Sequence, residues 1–201
     1  IQGFTVDGRL SAIRDTDSYA NKCVYVRGEA DPTRIEYNGH AFPSSINGLV
    51  LNGLKIQNCL GECVRLRYFV THSDIQNNLI RDCGVADFVL GGNKKNGEGV
   101  YIGTSSTQWD DNPTDEADGS NYNRLRNNKI ITNANECVDI KEGSQYNVVE
   151  GNSCSMQKDD KAGCFGVRSD YNTLRYNAGI SCDGFGVRFG GHDDWGINNI
   201  V

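Results

Sequence analysis

The 201-residue chain has one Met, three Pro and two Trp, and 10 Leu against 29 Val plus Ile. Scarce Leu and Met beside 24 Gly and 22 Asn make poor helix material, because Gly and Asn favour turns and left-handed backbone. Helical bundles and coiled coils are excluded, and the β-branched excess points to strands. No run approaches the roughly 18 apolar residues of a membrane span, so no membrane partner is expected. Lys and Arg (20) are outnumbered by Asp and Glu (26), giving a net charge of −6. That argues against nucleic acid, whose phosphates demand clustered cations. The cysteines form no Cys-x-x-Cys pair for zinc, and no Gly-x-Ser-x-Gly elbow supports nucleophilic hydrolysis. A signal peptide and a glycosylation sequon are also missing, Asn112 being followed by Pro113. What is present is an even set of eight cysteines, which favours disulfides and a secreted, extracellular setting. The length suits a single domain over residues 1–201. Ile1 and Val201 fall inside strand-like segments, so a piece of a longer chain is expected.

Self-similarity organises the rest. Lys22-Cys-Val-Tyr-Val-Arg27, Glu62-Cys-Val-Arg-Leu-Arg67, Glu98-Gly-Val-Tyr-Ile-Gly103 and Glu136-Cys-Val-Asp-Ile-Lys141 share one alternating pattern. Phe165-Gly-Val-Arg168 and Phe185-Gly-Val-Arg-Phe189 continue it, and such alternation marks half-buried strands. A second register, opening at Asn123, Asn147 and Asn172, repeats at spacings of 24 and 25. A period near 25 with Asn/Gly corners predicts an all-β, right-handed parallel β-helix, a pectate-lyase-like solenoid stapled by disulfides, one rung per repeat. The leucine-rich frame is absent. The inward stack is Val24/Val26, Val64/Leu66, Val100/Ile102, Val138/Ile140, Phe165/Val167 and Val187/Phe189. Residues 28–46 and 104–121 read as insertions, the second as a solvated acidic loop rather than a calcium loop.

Alternation then sends two columns outward. The first is Tyr25, Arg65, Tyr101, Asp139, Arg168 and Arg188; the second is Arg27, Arg67, Gly103, Lys141, Asp170 and Gly190. Stacked cations repel by about 1 kcal/mol per pair in high dielectric, so pairing within the face or a polyanionic ligand must offset them. Tyr25 and Tyr101 stand where sugar rings could stack, which favours a groove for an acidic polymer. Glu62, Glu98 and Glu136 form a further column just before the strands. They either bind a hard cation such as Ca2+ or cap corner amides.

Asn96-Gly-Glu98-Gly-Val-Tyr-Ile-Gly-Thr-Ser-Ser106 resembles the N-G-x-E-x-I-x-I-G-T-S segment of the β-helical polysaccharide lyases that include chondroitinase B and alginate lyases. Glu136 to Asn147 is similar to that family's E-x-E…K-S…N segment. Gly163-Cys-Phe-Gly-Val-Arg168-Ser-Asp-Tyr-Asn172 and Phe185-Gly-Val-Arg188-Phe-Gly-Gly-His192 follow in matching order, and the similarity covers roughly residues 75–201. The resemblance implies a secreted enzyme cleaving a uronate-containing polysaccharide by β-elimination. Calcium held by Asn and Glu neutralises the uronate carboxylate, a Lys takes the C5 proton, and an Arg assists on the leaving-group side. By position Glu136 is then a calcium ligand and Arg168 the catalytic Arg. The family Lys falls on Gly143, its second Glu on Val138, and Ser169 replaces the His that follows the Arg. Lys141, two residues before Gly143, keeps the same outward side and is the candidate base. Crowding by Arg67 and Arg168 predicts a lowered pKa for it, whereas a plain salt bridge to Asp139 or Glu142 is the alternative.

Catalytic candidates are therefore Lys141 and Arg168, with Tyr25, Arg65, Arg67, Tyr101, Asp139, Arg188 and His192 on the substrate and Glu98 and Glu136 on the metal. His40, His72 and His192 share no pattern and read as corner or groove-edge residues. The expected disulfides are Cys59–Cys83 and Cys154 with Cys164 or Cys182, with Cys23 and Cys63 in one outward column. Two other functions fit the residues. One is a non-catalytic solenoid that binds glycans or self-associates axially through open edges; the other is a glycosidase using Glu98, Glu136 or Asp139 as paired acids.

Overall fold

The computed structural model describes residues 1–13, 15–35, 41–92, 96–114, 116–192 and 195–201, with backbone alone for 31–35 and 41–44; His40 lies outside them. The chain visits three parallel sheets in rotation, as the period near 25 requires. One sheet stacks Val24–Arg27, Val64–Arg67, Val100–Ile102, Val138–Ile140, Gly163–Val167 and Phe185–Phe189. The next carries five strands from Val50–Asn52 to Thr173–Arg175, and the third six strands from Thr5–Asp7 to Ala178–Ile180. The result is an all-β, solenoid-like coil. Glu29–Ile35 and Ala41–Ser44 form an antiparallel hairpin where the first insertion was expected.

The inward stack of the first sheet pairs as alternation dictates: Val24, Val64, Val100, Val138, Phe165 and Val187 are successive register partners. Leu51, Ile75, Leu125, Val149 and Leu174 form the matching column of the second sheet, and Ile56, Ile80, Ile130 and Cys154 that of the third. All the residues of these last two columns are buried, each worth about 1.5–3 kcal/mol for a large aliphatic chain.

The corners explain the asparagines. Tyr122, Tyr146 and Tyr171 take left-handed backbone (φ 59°, 57° and 55°), and each turns the next residue inside. There Asn123 N–H donates to Asn147 Oδ1 (2.9 Å), Asn147 N–H to Asn172 Oδ1 (2.9 Å), and Asn172 N–H to Asn199 Oδ1 (2.8 Å). A second ladder runs through Asn78, Asn128, Asn152 and Asn177. A buried corner N–H must find an acceptor, and the Asn of the next rung, 24 to 27 residues on or 50 from Asn78 to Asn128, supplies it.

The disulfides are Cys23–Cys59, Cys63–Cys83, Cys137–Cys154 and Cys164–Cys182, which corrects both expected pairings. Each bond joins the start of one turn to the end of that same turn, with separations of 17 to 36 residues. Nor do Cys23 and Cys63 face outward, since Cys63 is fully buried in the core. The backbone reverses phase just before each strand, so the residue at this position turns in and the one before it turns out. Closing a loop of about 15 residues contributes roughly 3 kcal/mol in the chain-entropy account.

Two further expectations change. Register places Gly166, not Arg168, beside Asp139 and Arg188, so Arg168 belongs to the second column, next to Lys141. Asp170 is at the corner, accepting from the N–H groups of Gly196 and Ile197 (2.8 Å each). The acidic insertion is also less solvated than its composition implies. Asp118 is fully buried and accepts from Tyr68 N–H (2.6 Å), Phe69 N–H (3.2 Å), Thr104 Oγ1 (2.8 Å) and Ser120 Oγ (2.7 Å). Tyr68 and Phe69 both have left-handed backbone, and their N–H groups need that carboxylate.

Candidate functional site

The phase reversal before each strand carries Glu62, Glu98 and Glu136 to the outer face, where all three are buried against the charged columns. Lys141 Nζ lies 2.5 Å from Asp139 Oδ2, and Arg168 Nη2 is 3.5 Å from the same oxygen and 3.9 Å from Glu136 Oε1. Lys141 Nζ and the Arg65 guanidinium each sit 4.5 Å from the centre of the Tyr101 ring. Gly166 makes the arrangement possible, because a Cβ there would come within 2.8 Å of Asp139 Oδ1. Lys141 is only 5% exposed and Asp139 not at all.

Burial and pairing set the charges. Burial disfavours the Lys141 ammonium, but Asp139 together with Tyr101 and Glu98 more than offsets it and the Lys141 pKa is raised. The expected lowering is thus overturned, because Lys141 leans on a carboxylate rather than on Arg67. Burial raises and the Lys141 and Arg168 cations lower the Asp139 pKa, with a net lowering. Among the described residues the nearest cation to Glu136 is Arg168 at 3.9 Å; burial and the neighbouring Asp139 and Glu98 charges push Glu136 up to about 8. Tyr101 is buried between two cations, which removes it as an exposed sugar platform, and burial pushes its phenol up to about 12.

Oxygens of Glu98, Glu136 and Asp139 lie within 4.8 Å of one another, and Glu136 Oε2 and Asp139 Oδ1 have no hydrogen-bond partner among the described residues. This is a hard-oxygen donor set of the kind a divalent cation takes. Lys141 and Arg168 provide its positive charge here. Glu98 divides its roles, also accepting from Gly97 N–H at 3.0 Å. The three carboxyls are too deep to flank a glycosidic bond, which disfavours paired-acid hydrolysis.

Two cavities open over the earlier rungs. One of 310 Å³ is lined by Asn21, Lys22, Tyr25, Arg65 and Arg67. The other, of 330 Å³, includes Lys22, Glu62, Arg65, Asp87, Tyr101 and Gln108. Arg65 gives Nη1 to Glu62 (2.9 Å), while its Nε and Nη2, and Nε of Arg67, are buried with no hydrogen-bond partner among the described residues. Tyr25 is 47% exposed at the edge. Arg188 is half-buried beyond Gly166, and His192 is exposed, its N–H donating to Glu142 Oε1 (3.1 Å).

No family model matches the chain, and neither does any curated protein. Among solved structures it is similar to alginate lyase from Paenibacillus sp. str. FPU-7, with a TM-score of 0.55 and 19% identity, over 79% of this chain and 49% of that one. The fold is polysaccharide lyase-like. The chain spans about half the length of that lyase, so the likeness bears on architecture.

On this lyase-like scaffold the structure unites Asp139, Lys141, Arg168, Glu98 and Glu136 in one cluster, and Tyr25, Arg65 and Arg67 around one cavity. Sequence reasoning passed over Lys22, which pairs with Glu62 at 3.4 Å, although it occupies the same repeat position as Glu62, Glu98 and Glu136. Glu142, considered only as a salt-bridge partner of Lys141, is fully buried and accepts from Ser106 N–H (3.3 Å) as well as from His192 N–H. No repeat signal marks Glu142.

Proposed function

We propose that the protein is a secreted polysaccharide lyase-like protein, a right-handed parallel β-helix that binds and cleaves an acidic, uronate-containing polysaccharide. The observation that carries this reading is the 310 Å³ cavity walled by Lys22, Arg65 and Arg67 with no acid in its lining. Its buried guanidinium N–H groups, which have no hydrogen-bond partner among the described residues, require an acceptor, and a carboxylate matches the planar fork of Arg. All eight cysteines are paired, which supports an oxidising compartment.

For cleavage, a uronate ring seated farther along the face lies over Arg168 and Arg188, whose charge stabilises the carboxylate as its C5 proton leaves. Lys141 is the nearest amine for that proton. It becomes a base only when something draws Asp139 away from it. Glu98 and Glu136, with Asp139, are the residues to hold a divalent cation, which when bound supplies charge neutralisation for the substrate carboxylate.

The burial of Lys141 favours a second reading, a non-catalytic solenoid that binds glycans through the same cavity or associates axially. One assay separates the two: incubation with alginate, pectate, glucuronan and chondroitin, with and without calcium. Ultraviolet-absorbing unsaturated ends are expected for a lyase, and their loss in Arg168→Ala ties the activity to this face. Oligouronate binding without product supports the second reading, and neither binding nor product on any polymer sinks both.

A further inference from the structure

The chain has only two tryptophans, 86 positions apart, and the fold brings them together. Their rings lie 6.4 Å apart at 89°, edge against face. Both indoles are half-buried. Trp109 sits in the 3-10 turn Ser106–Asp111, and its Nε1–H donates to the Thr104 carbonyl at 3.1 Å, which fixes the ring with no ligand present. Trp195 is on the segment leaving the last strand, where Gly191 N–H donates to its carbonyl (3.2 Å). Buried Glu142 holds both segments, one oxygen on Ser106 N–H and the other on His192 N–H.

Their position adjoins the charged face. Gln108, next to Trp109, lines the 330 Å³ cavity with Arg65 and Tyr101, and Glu142 directly follows Lys141. The contrast with the other aromatic cluster is informative. His72, Tyr122, Tyr146 and Tyr171 stack almost parallel at 5.1, 5.1 and 5.4 Å, so the inner ring faces are spent on one another. In a perpendicular pair, one ring edge covers at most one face of the other, so the contact itself leaves the remaining faces uncovered. The axial C–H face of a pyranose packs on such an aromatic face, while its carboxylate reaches neighbouring cations.

We infer that Trp109 and Trp195 form a sugar-stacking platform at the rim of the cationic face, holding one pyranose ring of an acidic polysaccharide. This rests on the reading that the face binds such a polymer. Glu142 acts as a positioning residue by tying both loops to the Lys141 rung.

Tryptophan emission reports on this pair alone, so an alginate oligouronate titration reads the platform directly. A saturable change in emission is expected, retained in Trp109→Phe and in Trp195→Phe, each of which keeps one emitter. Calorimetry on Trp195→Ala should show about tenfold weaker binding, the scale of one aromatic contact, with an unchanged circular dichroism spectrum. Unchanged emission while calorimetry detects binding, or while unsaturated product forms, overturns the platform and leaves the polysaccharide reading standing. No heat and no product with any uronate polymer removes that reading and the platform with it. The wild-type titration decides the matter even if the Ala variant fails to fold.

Discussion

On the Val64–Arg67 rung, Arg65 and Arg67 keep guanidinium N–H groups without a hydrogen-bond partner among the described residues; two and three rungs on, Lys141 and Arg168 lean on Asp139 and Glu136. Both regions use the same outward columns, yet one is open to an anion and the other is closed on its own carboxylates. The outward residue between the two inward positions of each strand explains the difference. It is Arg65 on the one rung and Asp139, two places along the same column, on the other. Position in the repeat sets where a side chain stands, and the charge found there decides whether the rung has spare positive charge.

The largest way to break the comparison is Asp139→Asn. It leaves the Lys141 ammonium buried without its counter-charge, which typically costs about 3–5 kcal/mol. Urea unfolding should show that loss, and adding Lys141→Met should recover most of it. If the two substitutions add independently, the pair is not the coupled unit described here.

Glu136→Gln comes next and works through pH. Burial and the nearby Asp139 and Glu98 charges raise the folded-state Glu136 pKa to about 8 from 4.5, so folded protein keeps a proton that unfolded chain releases. That contribution is fully present below pH 4.5 and is lost as pH rises through 8. Gln cannot ionise. In chelator, the variant's unfolding free energy should match wild type near pH 5 and exceed it increasingly towards pH 9, by an amount on the order of 2 kcal/mol. A constant offset across that window refutes the assignment.

Much of this architecture was legible because a coil repeats its constraints. Val64, Val100 and Val138 recur at one phase, and Asn123, Asn147 and Asn172 at another, so each rung corroborates the next. The misreadings arose where phase changes. Alternation cannot signal the reversal before each strand, which buries Cys63 and sends Glu62 outward, and this is why disulfides were expected between rungs rather than within a turn. Arg168 was displaced by two residues because Gly166 has no side chain to announce its column. The pairing of Lys141 with Asp139 was among the alternatives, but its depth depends on Tyr101 and Arg168, which come from other rungs. The meeting of Trp109 with Trp195 has no local signal at all.

The smallest expected effect sharpens the comparison at its open end. Arg65 lines both cavities, with Nη1 on Glu62 and with Nε and Nη2 buried without a hydrogen-bond partner among the described residues. Arg65→Lys keeps the charge and loses the planar fork, so one ammonium has to serve both Glu62 and the ligand. Oligouronate affinity should fall about fivefold to tenfold, the worth of about one ordinary hydrogen bond, with thermal stability close to wild type. Raising salt should weaken binding in both proteins, because the cavity is partly open to solvent and its charges are screened. The same salt should leave the Asp139–Lys141 coupling energy nearly unchanged, because that pair is buried. If Arg65→Lys instead unfolds the protein, or salt erodes the buried coupling as steeply as the binding, the two regions do not differ as their geometry requires.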